Sequence, residues 1–345
     1  MVVILFLLLF VLLILWCFVE NNYFNKINES NFLSKESTGA LRGVAIIAIV
    51  FSHIFQNAPE IKELLWGGKY LYTLVFMWGG IGVAIFFILS GYGCYISLGK
   101  AKNKLIWLVR HIAKLLIYFI IAFMFVLFIN SIILGKATDL KELWLSFITL
   151  RLPYTTSWYF RIQLLFYILL VISEILKERQ VVLISIFVLG YACIAKYSGL
   201  ADYWWKTSLC FAIGCVMAKY KDKLIIFMKS IRFKLILIVV GCGAVIYTRI
   251  DFHYILFFQL IAYVCIAGCI VIVWDWIFGK NKLFENIGKA SLAMYLVHIG
   301  IVDTVYSLNT NINIKSLIFV IVTAIGTGVC YFVSEYINKK LLFRG

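Results

Sequence analysis

The chain has 345 residues, 64% hydrophobic, 17% aromatic and 14% charged, with two prolines and a formal net charge of +16. A soluble domain cannot bury that much apolar surface, so the composition excludes one and points to an all-α, polytopic transmembrane helical bundle. The positive charge suggests nucleic acid only until its cations are located: they fall in short stretches between apolar runs, which makes them topology signals and leaves no reason to expect nucleic acid as a partner.

The apolar runs fall, in order, at 2–19, 41–58, 70–98, 105–134, 157–176, 181–198, 204–219, 234–249, 254–278, 289–308 and 315–338. That is one N-terminal span followed by about ten core spans. "MVVILFLLLFVLLILWCFV" lacks a basic start and a small-x-small cleavage site, so it is read as a retained anchor over 1–19. Segments 20–42, 99–114, 177–180, 219–234, 279–289 and 339–345 carry 22 of the 32 Lys and Arg residues. The positive-inside rule places these segments in the cytoplasm of a cell with the protein in its bounding membrane, and residues 339–345 become a basic cytoplasmic tail. The nine cysteines lie almost entirely inside apolar runs and form no CxxC, so they read as packing residues and no metal is expected.

Core span one, "ALRGVAIIAIVFSHIF", opens near Arg42 and carries His53 in its second half. Eleven residues at 100° each bring both side chains onto one stripe, ~16 Å apart along the axis, about half of a bilayer core ~30 Å thick. The pair reads either as a surface anchor with a packing histidine or as a cation and a proton-transfer group on one face. Core span two contains "GGIGVAIFFILSGYGCYI", whose glycines suit close helix packing and whose Ser90 and Tyr92 place hydroxyls in the inner half. At the entry to core span three, "KAKNKLIWLVRHIAK" gathers cations beside Trp107. Anionic membrane lipids account for this run, and so does a polyanionic ligand held by Arg110 and Lys114, one turn apart.

Core span four begins "SWYFRIQLLFY" and places Trp158, Arg161 and Gln163 in its outer half, as an acceptor pocket if Arg161 does more than snorkel. His253 falls in an external loop with no neighbour that marks it as a ligand. In core span nine, "NIGKASLAMYLVHIGIVD", Ser291, Tyr295 and His298 fall at i, i+4 and i+7, a single polar stripe in an apolar helix. Counted inward from Lys289, His298 lies ~13–14 Å deep, close to the depth of His53. Two midplane histidines with tyrosine and serine neighbours form a proton-transfer site or a structural hydrogen-bond network.

Taken together, Arg42-x10-His53, "FFILSGY" at 86–92, the basic entry to core span three, "SWYF…QLLFY" at 157–167, "FAIG" at 211–214 and "IGKASLAMYLVH" at 287–298 resemble the bacterial acyltransferase family 3. These are integral-membrane O-acyltransferases that modify surface polysaccharides, peptidoglycan and some small molecules. The resemblance implies an acyltransferase transmembrane domain over about 38–338, a cytoplasmic acyl-CoA donor such as acetyl-CoA, and an external hydroxyl acceptor such as a cell-surface glycan. It also assigns the Arg42/His53 pair to the catalytic centre. The sequence departs from the family pattern in four places: Arg110 and Lys114 are separated by three residues where two are usual, Leu115-Leu116-Ile117-Tyr118 follows without the common proline, Gln163 stands where many polysaccharide acetylators have Glu, and the usual Glu-x-Pro near the end reads "SEYI".

On this reading His53 is the general base, and Tyr295, His298 and Ser90 orient it or stabilise the developing oxyanion. Arg42, Arg110 and Lys114 hold donor phosphates, and Trp158, Arg161 and Gln163 meet the acceptor. The alternative is a proton-coupled transporter or flippase of a polar or lipid-linked substrate, with the same histidines as a relay. That alternative expects internal pseudo-symmetry, and the two halves of the sequence show none. A homo-oligomer stays open.

Overall fold

A computed structural model describes residues 32–57, 68–135, 139–152, 157–228, 256–277 and 280–341, with isolated positions between 230 and 244. The N-terminal anchor at 1–19, most of the run at 234–249, and His253 lie outside the described residues. Among the described residues every regular element is helical. In chain order these are α1 (Lys35–Asn57), α2 (Gly68–Lys100), α3 (Lys104–Leu134), α4 (Leu140–Ile148), α5 (Trp158–Ser173) and α6 (Gln180–Tyr197). There follow α7 (Leu209–Lys219), α8 (Lys221–Met228), α9 (Leu256–Ile277), α10 (Lys282–Lys289), α11 (Ser291–Tyr306) and α12 (Ile312–Leu341).

Helix boundaries follow local chemistry. The Asn103 side chain accepts from the Ile106 N–H to start α3, and Gly135 takes the left-handed φ of 60° that ends it. Asn281 starts α10 in the same way, accepting from the Phe284 N–H. The stretch from Trp158 to Tyr197 is broken at Lys177 (φ 39°, ψ −96°) into α5 and α6, which pack against each other.

Six helical stretches are long and apolar enough to cross a membrane: Lys35–Asn57, Met77–Lys100, Lys104–Ile133, Trp158–Tyr197, Leu256–Trp274 and Ile312–Leu341. The protein is therefore an all-helical membrane protein. Two expected spans are shorter than expected. α11 has 16 residues, ~24 Å of rise, and the run at 204–219 is α-helical only from Leu209, giving ~16 Å. Three described helices, α4, α8 and α10, fall outside the expected spans. Between 135 and 156, Asp139 caps the short α4, which exposes Leu140, Trp144, Leu145 and Ile148 together. Nine residues are too few for a span, and this exposed apolar surface with a tryptophan suits the membrane interface.

Two glycine pairs set the helix crossings that frame the site. A Cβ built on Gly91 would stand 2.0 Å from the Phe211 carbonyl oxygen, and one on Gly214 would stand 2.1 Å from that of Ile88, so α2 and α7 touch backbone to backbone. Between α1 and α10 the contact is again reciprocal, Gly43 against Phe284 at 2.0 Å and Gly288 against Gly39 at 1.9 Å. Arg42 and Lys289 each sit next to one of these close glycines, which brings both cations to the edge of one space. At the same end of the bundle an ion pair of 2.8 Å joins Lys104 to Glu174, tying the start of α3 to the end of α5.

Candidate active site

His53 on α1 and His298 on α11 come together, with ring centroids 5.2 Å apart and ring planes tilted by 56°. His298 is fully buried, and its Nδ1 lies 2.8 Å from the Met294 carbonyl oxygen. A carbonyl oxygen only accepts, so Nδ1 carries the proton and neutral His298 keeps its basic lone pair on Nε2. Among the described residues no group bonds that Nε2. Tyr295, one turn before His298, packs edge-on against it at 5.7 Å and against Tyr159 at 5.2 Å. The buried Tyr295 hydroxyl has no partner among the described residues either.

Below this aromatic layer, toward the basic end, lies a cavity of about 390 Å³. Its walls come from helices distant in sequence. α5 gives Tyr159, Phe160, Gln163 and Tyr167, α3 gives His111, Lys114, Leu115 and Tyr118, and α2 gives Phe86 and Ser90. Arg42, Lys289, Ser291, Tyr295 and Glu335 also face it. Phe86, Tyr159 and Tyr295 form its deep end, and His111, Lys114, Lys289 and Glu335 its mouth. The histidine pair does not line the cavity; Tyr295 and Tyr159 stand between them.

The mouth is positively charged, but its lysines are partly compensated. Lys114 Nζ meets Glu335 Oε1 at 3.0 Å, and the Tyr118 hydroxyl donates to the same oxygen at 2.9 Å. Lys289 Nζ lies 2.7 Å from Glu285 Oε1 and donates to Asn286 Oδ1 at 3.2 Å. The Glu285 carboxylate holds the Lys289 ammonium above its ordinary pKa, so this lysine stays charged. Arg42 is different. Its Nη2 donates only a long bond, 3.4 Å, to the Leu89 carbonyl, and among the described residues no carboxylate pairs with it. Arg42 is the cavity's uncompensated cation among the described residues, and a fixed guanidinium in that position suits an anionic or carbonyl-bearing ligand.

Of the residues singled out by sequence, Arg42, Ser90, Lys114, Gln163 and Tyr295 share this cavity, and His53 and His298 share the layer above it. Arg110, one turn before Lys114, is exposed and does not line the cavity. Trp158 and Arg161 lie elsewhere, in a cluster at the far end of α5. The Trp158 ring is 5.6 Å from Tyr203 and 6.4 Å from Trp204, and the Arg161 guanidinium lies 4.6 Å from the centre of the Trp204 ring. Gln163 is therefore separated from the two residues that accompany it in the sequence motif. The sequence assigns Tyr159 no role, places His111 only in the basic run at the entry to core span three, and leaves Glu335 only a solvated or ion-paired role near a cytoplasmic end; the ion pair is with Lys114. Tyr159 had a signal, because it precedes Gln163 by one helical turn, whereas Glu335 reaches Lys114 from a helix more than 200 residues away. Among the described residues no group of three or more His, Cys, Asp or Glu is placed to hold a metal ion.

A family model described as an acyltransferase domain matches residues 37–335. No curated protein and no solved structure matches the chain.

Proposed function

The chain belongs to the acyltransferase 3 family, and from that premise we propose that it is an acyl-CoA-dependent O-acyltransferase. It would move an acyl group, acetyl in the simplest case, from a cytoplasmic thioester to a hydroxyl of a cell-surface glycan or related acceptor. The observation that carries this reading is a basic-mouthed cavity, lined by Arg42, whose deep wall at Tyr295 touches buried His298, which in turn meets half-buried His53. Lipid headgroups alone would need cations at the surface and no cavity leading inward from them.

Each residue then has a role. Arg42, with Lys114 and Lys289, holds the donor's phosphates or its polar head at the mouth. The cavity accommodates the thiol arm, and the orphaned polar groups of its wall fit an arm that carries hydrogen-bonding groups. His53 removes the acceptor's hydroxyl proton as that oxygen bonds to the acyl carbon. The carbon–sulfur bond breaks, and the proton passes to the departing thiolate, so charge and atoms balance. Tyr295, whose hydroxyl has no partner among the described residues, is suited to the developing oxyanion, and His298 orients His53. Trp158 and Arg161, at the far end of α5, offer an aromatic and cationic surface for the acceptor. The full complement in this reading is about ten core spans over 38–338, a preceding anchor at 1–19 and a basic tail at 339–345 on the cytoplasmic side.

Direction is the part most easily tested. In a background without native cysteines, Lys141→Cys should react with an impermeant maleimide in intact cells, and Lys102→Cys only after permeabilisation. The reverse pattern would place Arg42 and the cavity mouth outside, which removes the cytoplasmic donor.

A further inference from the structure

We infer that Gln163 holds the donor's thiol arm by hydrogen-bonding an amide near its thioester end, and so belongs to donor recognition and not to the acceptor pocket. This rests on the acyl-CoA reading above. Gln163 is 3% exposed and lies in the cavity wall, and neither its Oε1 nor its Nε2 has a partner among the described residues. Leaving both ends of a buried amide unpaired is costly, and native interiors seldom do so without a ligand or water to complete them. The tyrosines one turn to either side of it in the wall, Tyr159 and Tyr167, make no hydrogen bond with its amide.

The position selects the ligand chemistry. α5 runs from Trp158 at the far end to Ser173 beside the Lys104–Glu174 pair at the basic end. Gln163 is ten residues from Ser173, so it sits ~15 Å inward from the basic end, with Tyr167 one turn nearer the mouth and Tyr159 one turn deeper. A phosphate group held at the mouth does not reach it, and the acceptor surface at Trp158 and Arg161 is not part of the cavity. What must cross that depth is the arm between the donor's phosphates and its reacting carbonyl. The arm of coenzyme A carries two secondary amides, one of them two methylenes from the sulfur. A trans secondary amide presents its N–H and C=O on opposite sides, so the Gln163 Oε1 can accept from the N–H while its Nε2 donates to a carbonyl beside it. The glutamine would then set how far the thioester travels toward Tyr295.

The test compares three probes on wild type and Gln163→Leu, both solubilised as the full chain. The probes are acetyl-CoA, S-acetyl-N-acetylcysteamine (the thioester with the nearer amide alone), and adenosine 3′,5′-bisphosphate, which has phosphates and no arm. In Gln163→Leu the dissociation constants of the first two should rise about 5- to 100-fold, the range for removing one partner of a buried hydrogen bond. That of the bisphosphate should be unchanged. An equal loss for all three probes, or no loss for any, overturns the inference. If wild type binds neither acetyl-CoA nor the bisphosphate, the donor reading itself fails. If wild type binds acetyl-CoA and the variant binds it equally well, only the role of Gln163 fails. Should the variant not fold, an acetyl-CoA analogue with an ester in place of the nearer amide serves on wild type alone. It should bind about 3- to 10-fold more weakly than acetyl-CoA, and equal binding contradicts the inference.

Discussion

His53→Gln is expected to reduce acyl transfer by about 10²- to 10⁴-fold, the usual contribution of a positioned general base, while the protein still inserts and still binds acyl-CoA. Glutamine keeps a hydrogen-bonding side chain of similar reach but cannot carry the proton. His53 lies above the Tyr295–Tyr159 layer and does not line the cavity, so its replacement should leave donor affinity alone. Activity is read as turnover of acetyl-CoA with a hydroxyl acceptor, and integrity as detergent-solubilised melting. A histidine that only packs against His298 predicts the opposite: near-normal turnover in His53→Gln, and lost stability together with lost activity in His53→Ala. His298→Ala should give an intermediate loss, because the Met294 carbonyl fixes its tautomer and its ring lies 5.2 Å from that of His53.

Arg42→Ala should raise the dissociation constant for acetyl-CoA by roughly 10- to 150-fold, the equivalent of ~1.5–3 kcal/mol for a charge-assisted contact. The reason is compensation. Lys114 and Lys289 already meet Glu335 and Glu285, so part of their charge is neutralised within the protein, whereas Arg42 makes only a 3.4 Å bond to a carbonyl. Arg110, exposed and outside the cavity, provides the contrast. Arg110→Ala should change donor affinity less than about threefold, the scale of an exposed charge contact. Equal losses in the two variants would mean that general surface charge, and not the cavity, attracts the donor.

The parts of the fold that repeat with helical period are legible in the sequence. Apolar runs and glycine-rich stretches predict the long helices, and depth counts from Arg42 and Lys289 put His53 and His298 at one level, where their rings do meet. Contacts between distant helices are not legible. Neither the pairing of Lys114 with Glu335 nor the reciprocal glycine contacts of Gly43 and Gly288 has a local signature. Spacing along α5 is also misleading when taken as a line. Trp158, Arg161 and Gln163 look like one group in the sequence, but five residues turn a helix by about 140°, which sends Gln163 into the cavity and Trp158 away from it. The short α4 escapes a search for apolar runs because its nine residues cannot span a bilayer.

If this membrane protein consumes a thioester at the cavity beneath His53, thiol and acylated product must appear together. The direct measurement supplies the purified protein in vesicles with acetyl-CoA labelled in its acetyl group and with candidate glycans, and follows free thiol and labelled acceptor together. Wild type should release thiol and labelled glycan in equal amounts, and His53→Gln neither. Movement of substrate across the vesicle with the thioester left intact would contradict thioester consumption and favour a transporter.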